Sequence, residues 1–354
     1  MQQVLSFDDV LLVPKRTFGG SRSQVDLTTT ICGYHMKNPI FSANMSSVTE
    51  SAMAIAMRRN GGLGVLHRMC SPSENIEMVR EVYLGISEAD NVSTPAFVSL
   101  PSDPYEAFNR IRDTKDFAPY GYCIDVAHAD SPDVEAVVVQ ILQEFPMIKL
   151  IIGNYATKNG IDNLLASLYK NNLLNEDFYQ RTAFKIGIGS GSQCTTRIVT
   201  GCGIPTLQSI FDIRQRFPDG DVKIIADGGL KNSGDIVKAL AAGADAVMLG
   251  SLIAGTKEAP GNVIKNGMGL YKVYRGSASF GQKFESGKAG YIEGAETLVP
   301  YKGHVTTILT QLVEGIKSGF SYCGALNLEE LRDNAEFVEI TNAGYRESQD
   351  HGNR

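Results

Sequence analysis

Eight short apolar runs, each followed by a pattern typical of a helix, recur along the middle of the chain. They are predicted strands at 39–43, 64–67, 96–100, 122–126, 149–152, 183–188, 222–226 and 246–249. Parallel strands buried on both faces read as such continuous runs, and βαβ repeats place a helix after each strand. The count and the spacing therefore predict a (β/α)₈ TIM barrel of the α/β class.

A doubly wound open sheet is the alternative fold. It normally uses fewer repeats and carries a GxGxxG turn after its first strand, which this sequence lacks. We expect a single catalytic domain over 1–354, because no linker, low-complexity segment or charge run interrupts the chain. Within it we expect an N-terminal arm (1–37), a glycine-rich active-site flap without clear secondary structure (255–303) and a polar C-terminal tail (342–354).

The composition narrows the class of protein. Hydrophobic residues make up 43% of the chain and charged residues 20%, and the net charge is −6. An acidic chain without a basic block argues against a nucleic-acid binder or a protein of anionic membranes. No apolar run is long enough to span a membrane, and no signal-peptide pattern opens the sequence. Six scattered cysteines without a CxxC pair favour a reduced, cytoplasmic enzyme.

The stretch GIGSGSQCTTR at 187–197 follows the sixth predicted strand. Alternate glycines let a backbone turn sharply and expose its N–H and C=O groups to a ligand. A thiol at the end of such a loop, close to Arg197, is where a usable thiolate is expected. Taken alone, the loop is equally consistent with a structural turn that carries a small buried cysteine.

In a barrel the chemistry lies at the carboxyl-terminal ends of the strands. Polar residues occupy those ends at Asn44, His67, Arg68, Asp125, Asn154, Asp227, Gly250 and Ser251, besides the cysteine loop. Singly, each has a plain structural interpretation: Asn44 as a turn former, Asp125 as a helix cap, His67 as a hydrogen-bonded core residue. Their convergence on one rim favours a functional site.

Glycines after the last two strands predict a phosphate site. Gly228 and Gly229 follow strand seven, and Gly250 with Ser251 follows strand eight, where barrels commonly hold a phosphate. Asp227, directly before the glycine pair, is placed to accept hydrogen bonds from ribose hydroxyls. Together with a nucleophilic thiol, these residues predict a nucleoside monophosphate as substrate.

With these residues in view, the chain resembles the IMP dehydrogenase and GMP reductase family over nearly its full length. The resemblance is carried by LSFDDVLL (5–12), SANM (42–45), GSGSQCTTR (189–197), ADGG (226–229), VMLGS (247–251) and VPYKG (299–303). The cysteine-loop and Asp-Gly-Gly motifs are highly specific in combination.

Several features place the chain nearer the reductase branch, in particular its second, bacterial-type subgroup. The usual dehydrogenase insertion of paired CBS modules is absent, and 281–292 lacks the Arg-Tyr pair of the dehydrogenase flap. The stretches at 21–27, 67–68 and 276–279 are similar to GMP reductases. Two features depart from that branch: Ser46-Ser47 follows Asn44-Met45, and 274–276 has a dehydrogenase character.

The resemblance implies NADPH-dependent conversion of GMP to IMP and ammonia. Cys194 would attack purine C2 and form a covalent thioimidate, with hydride then delivered to C2. Thr196 and Glu293 would protonate the departing ammonia. We expect Arg197 to brace the loop.

The resemblance also assigns binding residues. Substrate would contact Asp227, Gly228, Gly229, Gly250, Ser251, Tyr274, Gly276, Ser277 and Gly294. The cofactor would contact Asp125, Asn154 and Arg68, with Ser21 and Arg22 supplied by a neighbouring subunit of a homotetramer. Arginine suits a 2′-phosphate because its planar fork pairs with phosphate oxygens. The carbonyls of Gly189, Gly191 and Cys194 match the family's potassium site, which is not occupied in every member.

Two other functions stay open at this point. One is a dehydrogenase without CBS modules that oxidises IMP to XMP with NAD. The other is a non-catalytic nucleotide sensor, which the intact set of Cys194, Thr196 and Glu293 disfavours.

Overall fold

Eight parallel strands close into a barrel in the computed structural model, which describes residues 3–17, 19–90, 96–117, 119–276 and 295–349. The barrel strands are β1 (Ile40–Ser42), β2 (Leu63–Leu66), β3 (Ala96–Leu100), β4 (Gly121–Asp125), β5 (Leu150–Tyr155), β6 (Thr182–Ile186), β7 (Ile224–Asp227) and β8 (Ala246–Leu249). Each pairs in parallel with its neighbours in the chain, and β8 pairs with β1. The predicted (β/α)₈ barrel is confirmed, and it forms a single domain.

Most of the helices between the strands cover the outside of the barrel. The helices between the strands are α1 (Ser51–Arg59), α2 (Pro72–Asp90), α3 (Pro104–Thr114), α4 (Pro132–Glu144), α5 (Lys158–Lys170), α6 (Glu176–Arg181), α7 (Thr196–Thr200), α8 (Thr206–Arg216) and α9 (Ser233–Ala241). Their starts follow local sequence signals. In α4, for example, Ser131 accepts a hydrogen bond from the Val134 N–H and Pro132 occupies the first turn, as expected of a helix start.

In the N-terminal segment 1–37, expected to be an arm, the described residues 3–17 and 19–37 include elements that pack on the barrel. A strand at Val10–Leu12 pairs with Phe337–Glu339 near the other end of the chain. A hairpin of Thr29–Ile31 and Tyr34–Met36 follows. Ile31 and Met36 are fully buried against side chains from the barrel strands, so the hairpin closes one end of the barrel interior. The polar composition of the segment concealed these few buried positions.

The 255–303 segment, expected to lack clear secondary structure, contains a three-stranded antiparallel sheet. Its strands are β9 (Ile264–Asn266), β10 (Gly269–Arg275) and β11 (Glu296–Pro300). Lys272 of β10 is 3% exposed and donates hydrogen bonds to the carbonyls of Lys257 and Ala259. Because polar contacts of this kind hold the sheet, the sequences of its strands show little apolar periodicity.

Three helices complete the described chain: α10 (Val305–Tyr322), α11 (Leu328–Asn334) and α12 (Asn342–Glu347), the last within the predicted polar tail. In the part of the chain that the structure describes, every helix is too short or too polar to cross a bilayer.

Candidate active site

A cavity of about 1100 Å³ opens at the carboxyl-terminal ends of the barrel strands. Pockets for a single drug-sized ligand are typically about 300–1000 Å³, so this one has room for more than one small molecule. Eleven of the predicted site residues line it: Arg68, Asp125, Asn154, Gly189, Gly191, Cys194, Thr196, Asp227, Gly228, Tyr274 and Gly276. The strand ends thus converge as the barrel prediction required.

The remaining predicted residues fall into two groups. Gly229, Gly250, Ser251, Ser21 and Arg22 are described but do not line the cavity. Arg22 lies in a short turn packed beside α10, on the outside of the barrel, and Ser21 directly precedes that turn. Ser277, Glu293 and Gly294 lie outside the described residues.

The loop after β6 presents Cys194 at the cavity wall. The Cys194 N–H donates a hydrogen bond to the Gly191 carbonyl at 2.9 Å, which closes a tight turn. The thiol Sγ lies 3.1 Å from Thr196 Oγ1, within hydrogen-bond distance for a sulfur atom. Arg197 donates to the carbonyls of Ile188 and Ile204 on either side of the loop and so braces it, as expected.

The Asp227-Gly228-Gly229 turn after β7 packs directly on the cysteine loop. Ser190 Oγ donates a hydrogen bond to the Asp227 carbonyl at 3.2 Å. A Cβ on Gly228, which has φ +89°, would lie 2.6 Å from Ser190 Oγ. A Cβ on Gly187 would lie 2.0 Å from the Asp227 carbonyl oxygen. These two glycines are required by close backbone approach, and they hold the two turns together.

Sequence reasoning missed Lys185, a lysine of β6 that is 2% exposed and lies at the centre of the site. Its Nζ is 2.7 Å from Asp125 Oδ1 and 2.8 Å from Asp227 Oδ2, and it also donates to Asn154 Oδ1. Asn154 Nδ2 donates in turn to Asp227 Oδ2 at 2.9 Å. A single lysine within an otherwise apolar strand was the available signal.

The charges of this cluster stabilise one another. Burial alone would raise the pKa of Asp125, but the charge and hydrogen bond of Lys185 outweigh it and hold that pKa below its ordinary value. Burial would lower the pKa of Lys185, whereas the charges of Asp125 and Asp227 raise it above its ordinary value. At neutral pH Lys185 is therefore a cation and Asp125 a carboxylate.

Asp227 and Asp125 each keep some access to the cavity, with 21% and 18% of their side chains exposed. The lysine engages one oxygen of each carboxylate. An ionised carboxylate accepts up to about four hydrogen bonds, so both can still accept from a ligand. Lys185 fixes the orientation in which they do so.

Gly250 and Tyr274 meet beside the cavity. A Cβ on Gly250 would lie 2.8 Å from the Tyr274 hydroxyl oxygen. That hydroxyl also accepts a hydrogen bond from Ser192 Oγ at 3.5 Å. The carbonyl of Ser251 accepts from Lys302 Nζ at 2.7 Å, which joins the turn after β8 to the end of β11. Gly250 thus lets the sheet approach the barrel rim.

Two other polar residues have structural roles. His67, 2% exposed, contacts Glu50 through Nε2 at 3.2 Å and accepts the Met69 N–H at Nδ1. This matches its interpretation as a hydrogen-bonded core residue. Cys70 lines the cavity, but burial raises the pKa of its thiol to about 11, so it is protonated at neutral pH.

Among the described residues, no group of three or more histidine, cysteine, aspartate or glutamate side chains could hold a metal ion. The predicted potassium site uses backbone carbonyls instead. The Gly191 carbonyl already accepts one hydrogen bond, from the Cys194 N–H, and retains a second lone pair.

Comparison with known proteins agrees with this geometry. A family model described as the IMP dehydrogenase / GMP reductase domain matches residues 4–351. Inosine-5′-monophosphate dehydrogenase of Nitrosopumilus maritimus is 32% identical over 479 aligned positions, covering 98% of both chains. The enzyme of the same name from Thermoplasma acidophilum is 33% identical over 468 positions, covering 98% of this chain and 94% of its own.

Among solved structures, a GMP reductase variant from Trypanosoma brucei, in complex with guanosine 5′-monophosphate, has the same fold. The TM-score is 0.89 at 26% identity, and the match covers 99% of this chain and 98% of the other. Both dehydrogenase alignments extend over more positions than the 354 residues of this chain. Those two relatives therefore carry residues that have no counterpart here.

Proposed function

Because this chain belongs to the IMP dehydrogenase / GMP reductase family of oxidoreductases, we propose that it is a GMP reductase, which converts GMP to IMP and ammonia with NADPH. The observation that carries the proposal is the end-to-end match with a GMP reductase structure, at 99% and 98% coverage. The two dehydrogenase relatives, by contrast, contain additional residues. The family uses a nicotinamide dinucleotide, and the choice of NADPH belongs to this proposal.

In the proposed reaction Cys194 attacks C2 of the guanine base as a thiolate, and the 2-amino group leaves as ammonia. Thr196 Oγ1 lies 3.1 Å from the sulfur, which is close enough for a proton to pass between the two atoms. Glu293, which lies outside the described residues, is proposed as the acid that protonates the leaving group. Release of the thiolate after reduction at C2 regenerates the free enzyme. Each turnover consumes one proton for a product counted as ammonia, and a second proton when the ammonia is released as ammonium.

Substrate binding is assigned to the turns after β7 and β8. Asp227 is proposed to accept from the ribose hydroxyls, held in place by Lys185 and Asn154. Gly228, Gly229, Gly250 and Ser251 are proposed to hold the phosphate. Tyr274, Gly276, Ser277 and Gly294 complete the proposed substrate site.

The cofactor half of the cavity is assigned to Asp125, Asn154 and Arg68. Arg68 Nη2 donates to the Asp125 carbonyl at 3.3 Å, while its buried Nε has no hydrogen-bond acceptor among the described residues. A guanidinium that lines the cavity, as that of Arg68 does, fits a phosphate-bearing dinucleotide. When bound, NADPH supplies the hydride for C2. Ser21 and Arg22, outside the cavity of one chain, are proposed to act from a neighbouring subunit of a homotetramer.

Two further assignments accompany this proposal. A potassium ion would be held by the carbonyls of Gly189, Gly191 and Cys194. A cytoplasmic location agrees with six cysteines that all remain unpaired.

The second candidate function is oxidation of IMP to XMP with NAD. It is favoured by the names of the two relatives described above, which are 32% and 33% identical to this chain. Both reactions use the same cysteine, so they are separated by their substrates rather than by Cys194.

The test follows absorbance of the reduced cofactor. We expect the wild type to consume NADPH with GMP, and to show no sustained NADH formation with IMP, NAD and potassium. Cys194→Ala should abolish turnover while GMP binding, measured by calorimetry, stays within about twofold, since no assigned phosphate or ribose contact uses the thiol. Cys202→Ala is the matched control, because Cys202 is exposed on the loop after α7. Steady XMP formation would move the protein to the dehydrogenase branch.

A further inference from the structure

A cluster of buried polar side chains packs against the loop after β2, which carries Arg68. The proposed chemistry does not use this cluster. Its centre is Arg110 of α3, which is 5% exposed and also reaches the cavity wall. Burying an arginine is costly unless its donors are satisfied, so its partners indicate what it stabilises. Two of these partners are backbone carbonyls of the loop after β2.

Arg110 and Asn75 together bind three carbonyls of that loop. Arg110 Nη2 donates to the carbonyls of Arg68 at 3.2 Å and Cys70 at 3.4 Å. Asn75, 1% exposed, accepts from Arg110 Nη1 at 3.0 Å and donates to the His67 carbonyl at 3.1 Å. A planar guanidinium satisfies several acceptors in fixed directions, which a lysine cannot do.

The charge of Arg110 is balanced locally. Glu106, one turn earlier on α3, accepts from Arg110 Nη2 at 3.2 Å and from Nε at 3.4 Å. The arginine is thus largely committed to its protein partners. Arg68, by contrast, has one donor on the Asp125 carbonyl and a buried Nε without an acceptor among the described residues.

We propose that Arg110 is a positioning residue for the cofactor: it fixes the backbone of Arg68 so that the Arg68 guanidinium faces the dinucleotide. This inference rests on the proposed function, because it takes Arg68 as a cofactor contact. It predicts that Arg110 affects dinucleotide affinity through Arg68 and leaves the GMP half of the cavity unchanged.

The experiment measures binding of NADPH and NADH from nicotinamide fluorescence, and of GMP by calorimetry, without turnover. Arg110→Met should raise the dissociation constant for NADPH about tenfold, with GMP affinity changed by less than about twofold. Arg110→Lys keeps the charge but cannot bridge the two loop carbonyls, so it should behave like Arg110→Met. Glu106→Gln keeps an acceptor for Arg110 and should retain most of the NADPH affinity.

Arg112→Met is the matched control. Arg112 lies two residues further along α3, is 54% exposed and pairs with Glu144 rather than with the loop. Its NADPH affinity should stay within about twofold of the wild type. If Arg112→Met lost as much NADPH affinity as Arg110→Met, the effect would belong to α3 in general, and the proposal would be overturned.

A double-mutant cycle with Arg68→Met separates positioning from simple support of the fold. If Arg110 acts through Arg68, the double variant should bind NADPH about as weakly as Arg68→Met alone. Additive losses, or equal losses for NADPH and GMP, would overturn the inference. If Arg110→Met fails to fold, Arg110→Lys completes the same cycle.

Failure of the proposed function would be seen separately. A wild type that binds NADPH but does not reduce GMP would refute the reductase assignment, and the binding cycle would still decide the role of Arg110. A wild type that binds neither reduced dinucleotide would overturn both.

Discussion

At the scale of single residues, the charge arrangement around Lys185 explains how two carboxylates can occupy one barrel mouth. Without the lysine, Asp125 would lose the charge that holds its pKa down and would take up a proton more readily. The lysine keeps Asp125 ionised and holds both side chains in place to accept hydrogen bonds, which the proposed ribose and cofactor contacts require. It also makes stability dependent on pH.

The direction of that dependence follows from the lowered pKa of Asp125. Because the unfolded-state pKa of about 3.9 lies above the folded one, the stabilisation is complete well above pH 4 and is lost as the pH falls towards the folded pKa. Asp125→Asn should lower the free energy of unfolding at pH 7. The loss should be near the lower end of about 3–5 kcal/mol, because Lys185 still has Asp227 as an ion-pair partner. Urea unfolding between pH 7 and pH 3 should show the gap to the wild type narrowing below about pH 4. A gap that does not change with pH would contradict this account.

At the scale of elements, the sequence predicted the barrel strands well and the peripheral elements poorly. Strands such as β5 are buried along their whole length, so their apolar runs are continuous and visible. β9 to β11 are half-exposed, and their inward positions include the lysine Lys272, so neither alternation nor composition revealed them. Sheet formation there depends on contacts with the barrel, which no local pattern records.

The same reason limited prediction of the site. Motif residues such as Cys194 and Asp227 were identified because glycines and strand ends mark them. Lys185 and Arg110 were not, because their roles arise from groups that are distant along the chain. The local sequence indicates where the chain turns. It does not indicate which charged side chains from distant parts of the chain meet at those turns.

The contact between β10 and the turn after β8 makes a prediction at this scale. Gly250→Ala should lower the free energy of unfolding by about 1–3 kcal/mol, because the new methyl group meets the Tyr274 hydroxyl. Tyr274→Phe removes that oxygen, so the double variant should be more stable than the sum of the single effects implies. Urea unfolding of the three variants provides the measurement.

Gly267→Ala serves as the control for this cycle, since a Cβ at Gly267 meets no atom within 4 Å. Its stability should stay within about 0.5 kcal/mol of the wild type. Strict additivity of Gly250→Ala and Tyr274→Phe would show that the two residues do not limit each other.

At the scale of the whole molecule, the barrel separates residues that stabilise from residues that react. Asp245 directly precedes β8, at the end of the barrel opposite the cavity, and is 3% exposed. It contacts Arg214 at 2.8 Å and Arg332 at 3.1 Å, and it accepts the Ile224 N–H. Residues at the amino-terminal end of a barrel are expected to serve stability rather than chemistry.

Asp245→Ala should therefore lower the free energy of unfolding, towards the lower end of about 3–5 kcal/mol, because it leaves two partly buried arginines without their carboxylate. The kcat and KM of the folded variant at 25 °C should match the wild type. Asp162→Ala, which breaks the more exposed pair with Arg216, should cost at most about 1 kcal/mol. A kcat that falls together with stability in Asp245→Ala would show that the two ends of the barrel are coupled.

The close packing of the cysteine loop on the Asp-Gly-Gly turn has a consequence for engineering. Gly187 and Gly228 leave no space for even a methyl group against Asp227 and Ser190. The loop that carries the nucleophile and the turn assigned to the nucleotide thus form one inseparable module. Transplanting either motif alone into another barrel would place a side chain where this protein has only backbone, so a working graft must carry both.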